Sequence, residues 1–223
     1  MEFIPSPKPK RSKRQKTIDK IYAQTEVNMN SRVFVPGNSK LGEDNILIFN
    51  LPPVKSCQWT SWCINNCYGT KGNHAFPNVL KANESRLQLS LRDDFVEKAN
   101  IELDRYENKL YIRIHSTGDF YSIEYVEKWI EIVKANPNKK FLAFTKQYKN
   151  IKALRKLAAL PNMSLFESLD EGRQCGKMSG IKKATVYNDY MENNADFVCP
   201  GGCPECGYEC WNDIERNVVF HKH

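Results

Sequence analysis

From Ile46 onward the chain alternates short apolar runs with stretches in which apolar residues recur every three or four positions. A short unbroken run between polar residues reads as a buried strand, and the longer period reads as one face of a helix. Ile46-Leu47-Ile48-Phe49 is the first such run. Helical patterns follow over residues 78–89 and from about Asp93, where Phe95, Ala99, Leu103 and Tyr106 share one face. Residues 110–114 predict the next strand. Ser122 stands where an N-cap belongs, ahead of a stripe of Ile123, Val126, Ile130 and Val133, and Asn136-Pro137 ends the pattern. A strand over 141–144, a helix with Ile151, Leu154 and Ala158 inward that ends before Pro161, and a strand over 163–169 continue the series. Residues 184–187 and 196–198 give fainter strand signals. Strands and helices in turn predict an α/β fold with parallel strands and helical crossovers.

The residues directly after each predicted strand are polar and chemically loaded. Cys57, Cys63 and Cys67 follow the first, and His115-Ser116-Thr117-Gly118-Asp119 the second. Thr145-Lys146-Gln147 follows the third, and Ser168-Leu169-Asp170-Glu171 closes the fourth. Parallel α/β folds place their sites at these strand ends, so the four segments are expected to meet on one face. Taken singly, each has an ordinary reading: His115 as a core histidine, Thr117-Gly118-Asp119 as a turn, Lys146 as a solvated cap.

The three early cysteines have the spacing C-x5-C-x3-C. Three soft ligands on one loop can reach a single soft-metal centre. They lack the tight pairs of a zinc knuckle, and a centre held by three cysteines keeps one metal position open for a substrate or cofactor. Cys199, Cys203, Cys206 and Cys210 form a second group, C-x3-C-x2-C-x3-C, with glycines and prolines that let the backbone fold back on itself. A second iron-sulfur cluster and a structural zinc both fit this group. Cys175 is left over, either as a fourth ligand for the first site or as a bystander thiol.

Composition narrows the setting. The 223 residues suit one domain of ordinary size. Six of the basic residues lie in residues 5–16, and without them the net charge falls from +7 to about +1, so the basicity belongs to the start of the chain. That start is expected to be a solvated tail, or else a salt-sensitive contact to nucleic acid. No apolar segment follows it as in a signal peptide, and no run approaches the roughly 20 apolar residues of a membrane span. A cytoplasmic protein with no membrane partner is therefore expected. There, eight cysteines are better explained by metal than by the alternative, a disulfide-stapled secreted protein.

Several stretches resemble the phage "gene product 88" proteins: Pro36-Gly37-Asn38-Ser39-Lys40-Leu41-Gly42, the trio closing on Cys67-Tyr68, Leu91-Arg92-Asp93-Asp94-Phe95, residues 113–122, and the end at Cys210-Trp211. The resemblance spans roughly residues 35–211 and leaves out the basic start. That family in turn looks similar to the radical S-adenosylmethionine (SAM) superfamily, in particular to phage proteins like spore photoproduct lyase. The resemblance implies a partial parallel (β/α) barrel in which Cys57, Cys63 and Cys67 hold a 4Fe-4S cluster whose open iron chelates SAM. It also implies that Thr117, Gly118 and Asp119 replace the Gly-Gly-Glu-like motif that meets the SAM amino group, with Thr145 and Lys146 as further cofactor contacts. Leu160-Pro161-Asn162 matches the same set. The trio is wider than the superfamily's usual C-x3-C-x2-C, and Asp119 is one methylene shorter than the usual Glu.

The activity so implied is reductive cleavage of SAM to a 5′-deoxyadenosyl radical that takes hydrogen from an unknown substrate, with an electron donor as partner. The rival reading is a nucleic-acid-binding phage protein, stabilised by zinc or a cluster and without catalysis. The expected organisation is a basic flexible tail over 1–30, the partial barrel over 31–195, and a Cys-rich metal-binding cap over 196–223.

Overall fold

The computed structural model describes residues 12–42, 44–58, 60–170, 178–186, 197–212 and 216–221. They build a mixed α/β fold around one eight-stranded sheet, ordered β1-β2-β3-β4-β5-β6-β8-β7. The strands are β1 (Val35–Pro36), β2 (Ile46–Phe49), β3 (Tyr111–Ile114), β4 (Lys140–Thr145), β5 (Met163–Ser168), β6 (Lys182–Val186), β7 (Phe197–Val198) and β8 (Val218–Phe220). Only β1 runs antiparallel to its neighbour, and every other pairing is parallel. The helices are α1 (Lys13–Ala23), α2 (Ser61–Asn66), α3 (Pro77–Leu91), α4 (Phe95–Arg105), α5 (Ile123–Ala135) and α6 (Ile151–Ala158).

The β2 run is apolar throughout because both faces of the sheet are covered. Successive side chains alternate sides, so Leu47 and Phe49 join Ile112, Ile114, Phe141 and Ala143 beneath α3 to α6. Ile46 and Ile48 join Leu142 and Phe166 on the opposite face, where Cys210, Trp211 and Val218 cover them. Tyr208 stacks on Tyr111 there, ring centroids 4.3 Å apart, and Trp211 Nε1 donates to Ile112 O at 3.3 Å. The C-terminal residues are thus built into the molecule, with β8 lying between β6 and β7.

Two elements differ from the pattern-based expectation. The flexible tail expected through residue 30 contains α1, closed at its start by a capping box in which Ser12 and Gln15 bond each other's backbone N–H. Ile18 and Tyr22, one turn apart, anchor it on Leu80. In α5 the buried face is Tyr125, Val126, Trp129, Ile132 and Val133, while Ile123 is 48% exposed. The large aromatic surfaces of Tyr125 and Trp129 outweigh the aliphatic stripe. Ser122 does cap this helix, accepting from Tyr125 N at 3.1 Å. Cys175 and Glu171 lie outside the described residues.

Candidate functional site

All four strand ends meet on one rim, held by side chains that bridge from loop to loop. After β2, Asn50 Oδ1 accepts from the backbone N–H of Ser116 (2.9 Å) and Thr117 (3.0 Å). Thr117 and Leu51 exchange two further bonds: Leu51 N donates to Thr117 O at 2.9 Å, and Thr117 Oγ1 to Leu51 O at 3.0 Å. Gly118 makes this closeness achievable. At φ +93° it occupies backbone space that favours glycine, and a Cβ there would stand 2.5 Å from Leu51 Cβ and 2.8 Å from Ser56 Oγ.

Asp119 and Lys146 join the later strand ends. Asp119 Oδ1 accepts from Thr145 Oγ1 at 2.6 Å and from Phe120 N at 2.8 Å, while Oδ2 accepts from Lys146 N at 2.9 Å. The buried carboxylate is thus committed to the chain's own donors. It clamps the β3 loop to the β4 loop, with Oδ1 accepting two of these bonds and Oδ2 one. Burial raises its pKa above the usual carboxylate range, against these three bonds. Lys146 Nζ donates to Ser168 Oγ at 2.5 Å and lies 3.4 Å from Asp170 Oδ2. Asp170 also accepts from Thr60 Oγ1 at 3.0 and 3.1 Å. Thr60 in turn caps α2, its Oγ1 accepting from Cys63 N at 3.0 Å, which fixes the cysteine loop to the end of β5.

Cys57, Cys63 and Cys67 are free thiols close enough to act on one another electrostatically. Burial pushes all three upward, Cys63 to about 11, and neighbouring thiols add to the shift at Cys57 and Cys63. Opposing groups are aimed at the sulfurs. Backbone N–H groups of Gly69 and Thr70 favour the thiolate of Cys67, Val54 does so for Cys57, and Lys146 acts on Cys63 and Cys67. The Val54 donor comes from a β-branched residue held at φ 67°, a conformation such side chains rarely adopt. Among the described residues no three His, Cys, Asp or Glu side chains are grouped as ligands of a single metal ion. In a cluster each thiolate binds a different metal, so its sulfurs stand farther apart than those around one ion.

Cys199, Cys203, Cys206 and Cys210 also come together, on the far face of β3. Cys203 N donates to Lys40 O at 2.8 Å, tying this segment to the loop before β2. Burial pushes Cys203 to about 11 and Cys210 to about 12, and the Arg113 guanidinium works against both shifts. Arg113 was not among the expected site residues. Its signal was a cation inside the otherwise apolar strand Tyr111-Ile112-Arg113-Ile114. His115 is a core residue: Nε2 pairs with Tyr125 Oη at 2.7 Å among Phe49, Phe120 and Trp129. Burial, followed by the Arg113 charge, lowers its pKa to about 3.

The fold and rim define an α/β protein with a mostly parallel sheet and a cysteine-bearing loop at its strand ends. The family model "Gene product 88" matches residues 11–213, and the chain belongs to that family. It is 27% identical over 184 residues to the "Gene 88 protein" of Mycobacterium phage L5, covering 76% of this chain and 77% of that protein. The "Gene 88 protein" of Mycobacterium phage D29 is 26% identical over 184 residues, covering 76% of each. No solved structure matches the chain. None of the helices among the described residues is long and apolar enough to cross a membrane.

Proposed function

We propose that this protein is a radical-SAM-like iron-sulfur enzyme whose sheet forms a partial barrel with the cysteine rim at its mouth. The observation that carries the reading is the trio itself: three half-buried free thiols, mutually repulsive when ionised, with backbone N–H groups aimed at two of the sulfurs. A cationic centre bound between them would offset both the burial cost and the repulsion. Cys57, Cys63 and Cys67 would hold a 4Fe-4S cluster with one iron open to SAM. Bound there, that pair would supply an electron and a carbon-centred radical, given a reduced donor protein. Thr117, Gly118, Asp119, Thr145 and Lys146 would form the wall facing SAM. In that wall Asp119 holds the β3 and β4 loops in register, and Lys146 supplies positive charge beside Cys63 and Cys67. Cys199, Cys203, Cys206 and Cys210 would hold the second cluster or a zinc.

Anaerobic purification tests this reading. The protein should be brown and contain iron with acid-labile sulfide, and replacing Cys57, Cys63 and Cys67 together by Ala should remove one cluster's worth. Stoichiometric zinc without sulfide would reject it in favour of two structural metal sites.

A further inference from the structure

Next to the rim lies a surface that neither the cysteine sites nor the core requires. The chain leaves Cys67 through a short 3-10 turn, Tyr68–Thr70, and a second, Gly72–Ala75, before α3 begins. Two aromatic rings on this stretch face solvent, Tyr68 at 55% and Phe76 at 54% exposure. One exposed ring is ordinary, but two within nine residues make a local aromatic strip whose outer surface is uncovered. His74 adds a third ring, its centroid 5.7 Å from that of Tyr68. Tyr68 is held in place by a hydrogen bond from its hydroxyl to Ser116 O, so the strip is anchored to the catalytic rim.

Helix α1 borders this strip, packed on both Tyr68–Thr70 and α3. Its inner face is fixed by Ile18 and Tyr22 against Leu80, and by Gln15 Nε2 donating to Ile64 O at 3.1 Å in the cysteine-bearing helix. Its outer face carries Lys13, Arg14, Lys16 and Lys20, all exposed, with Lys71 exposed on the strip itself. No ion pair holds any of these five among the described residues. Asp19 is the one acidic residue in α1. Flat exposed rings bordered by unpaired cations match a polymer that alternates planar bases with phosphates. An acidic protein would use the cations and leave the rings idle. A duplex would use the cations and keep its base faces stacked.

We propose that α1 and the Tyr68–Phe76 strip bind single-stranded nucleic acid, with bases on the rings and phosphates on α1. The strand is then the substrate class presented to the cysteine rim, a step that rests on the enzyme reading above. Binding itself does not rest on it. The geometry also places the phosphate contacts on a folded helix.

The test is fluorescence anisotropy with a fluorescein-labelled 15-nucleotide oligothymidylate, titrated with the full-length protein from 50 to 300 mM NaCl. The wild-type protein should bind with an affinity that falls steeply with salt. Lys13, Arg14, Lys16 and Lys20 changed together to Gln should lower the salt slope by up to about three units, at about 0.7 per phosphate contact. Phe76→Ala should weaken binding about five- to a hundredfold with the slope unchanged, as expected for losing one stacked base. All five side chains are exposed, so melting temperatures should stay at the wild-type value and exclude misfolding. The variant with Cys57, Cys63 and Cys67 changed to Ala should still bind, which separates this surface from the fate of the cluster reading. No binding at 50 mM NaCl would overturn the proposal. So would affinity unchanged in both surface variants, or equal affinity for poly-glutamate or for phosphatidylglycerol vesicles.

Discussion

Thr145 Oγ1 donates to Asp119 Oδ1 at 2.6 Å, joining residues from two different strand ends inside the buried rim. With Phe120 N and Lys146 N as further donors, the carboxylate organises the wall. Asp119→Asn places an amide N–H₂ against a backbone donor or a hydroxyl, so at least one of these bonds is lost. Hydrogen bonds to a charged group are worth roughly 1.5 to 3 kcal/mol. For a chain of this size that is a fall in melting temperature of roughly 5 to 10 °C. SAM affinity, followed by isothermal titration, should fall alongside stability, because the same loops are released. An unchanged melt with a selective loss of SAM binding would show instead that Asp119 meets the ligand directly.

His115 gives the protein a predictable acid limit. Its pKa, ordinarily near 6.5, is lowered to about 3 by burial and by the Arg113 charge. Between these values the unfolded chain binds a proton that the folded chain refuses. The stabilisation is complete above pH 6.5 and is lost as the pH falls towards the folded value. At pH 4.5 the loss comes to about 3 kcal/mol. Asp119, whose pKa is raised, works in the opposite direction and is common to both proteins in the comparison. Urea unfolding of wild type and His115→Asn from pH 7 to 4.5 isolates the effect, since Asn tolerates the φ of 63° at this position. The variant should begin less stable and then lose about 3 kcal/mol less across the interval. Parallel curves would mean that His115 does not titrate this way.

Ile18 tests whether the start of the chain is part of the folded unit. It is 6% exposed and packs with Tyr22 and Leu80. Ile18→Ala should cost about 2 to 4 kcal/mol if α1 unfolds with the rest. If α1 detaches on its own, the global melt stays put while limited trypsin digestion cuts at Lys16 and Lys20. The first outcome is expected, because Gln15 also bonds Ile64 in the cysteine-bearing helix.

The same helix shows where sequence pattern stops being informative. Strands β2 to β5 were legible because burial on both faces demands short apolar-rich runs, unbroken in β2 and interrupted by Arg113 in β3 and by Ser164 and Glu167 in β5. In α1 the apolar residues Ile18, Ile21 and Tyr22 are too few to stand out against Lys and Arg, and the capping box of Ser12 and Gln15 lies inside a basic run. The strand β8 has three residues and is defined by its neighbours β6 and β7, which local sequence does not announce. At the rim the chemistry was visible, since Cys57, Asp119, Lys146 and Asp170 all follow strands. The partnerships were not, because Asp119 and Thr145 are 26 residues apart and Thr60 and Asp170 are 110 apart.

Arg113 offers a final test, on the other cysteine group. It is half-buried, with its guanidinium carbon 4.1 Å from the Phe144 ring centroid and Nε donating to His115 O at 3.4 Å. Among the described residues no carboxylate pairs with it. The ionisable partners facing it are the Tyr68 hydroxyl and the thiols of Cys203, Cys210 and Cys199, and it favours the ionised form of all three thiols. Arg113→Leu should therefore raise these pKa values by about one unit, the lower end of what a close charge imposes. Below its pKa a thiol is alkylated in proportion to its thiolate fraction, so Cys203, at about 11 in the wild type, should react about tenfold more slowly at pH 9. Arg113→Lys should recover part of the rate, since it keeps the charge and loses the flat stacking on Phe144. Iodoacetamide labelling of reduced, metal-stripped protein, read by peptide mass spectrometry, gives every cysteine at once. Cys57, governed by burial, Asp119 and the other two thiols of its loop, serves as the internal control. Equal slowing at Cys57 and Cys203 would trace the effect to a general loosening of the fold and remove Arg113 from its assigned role.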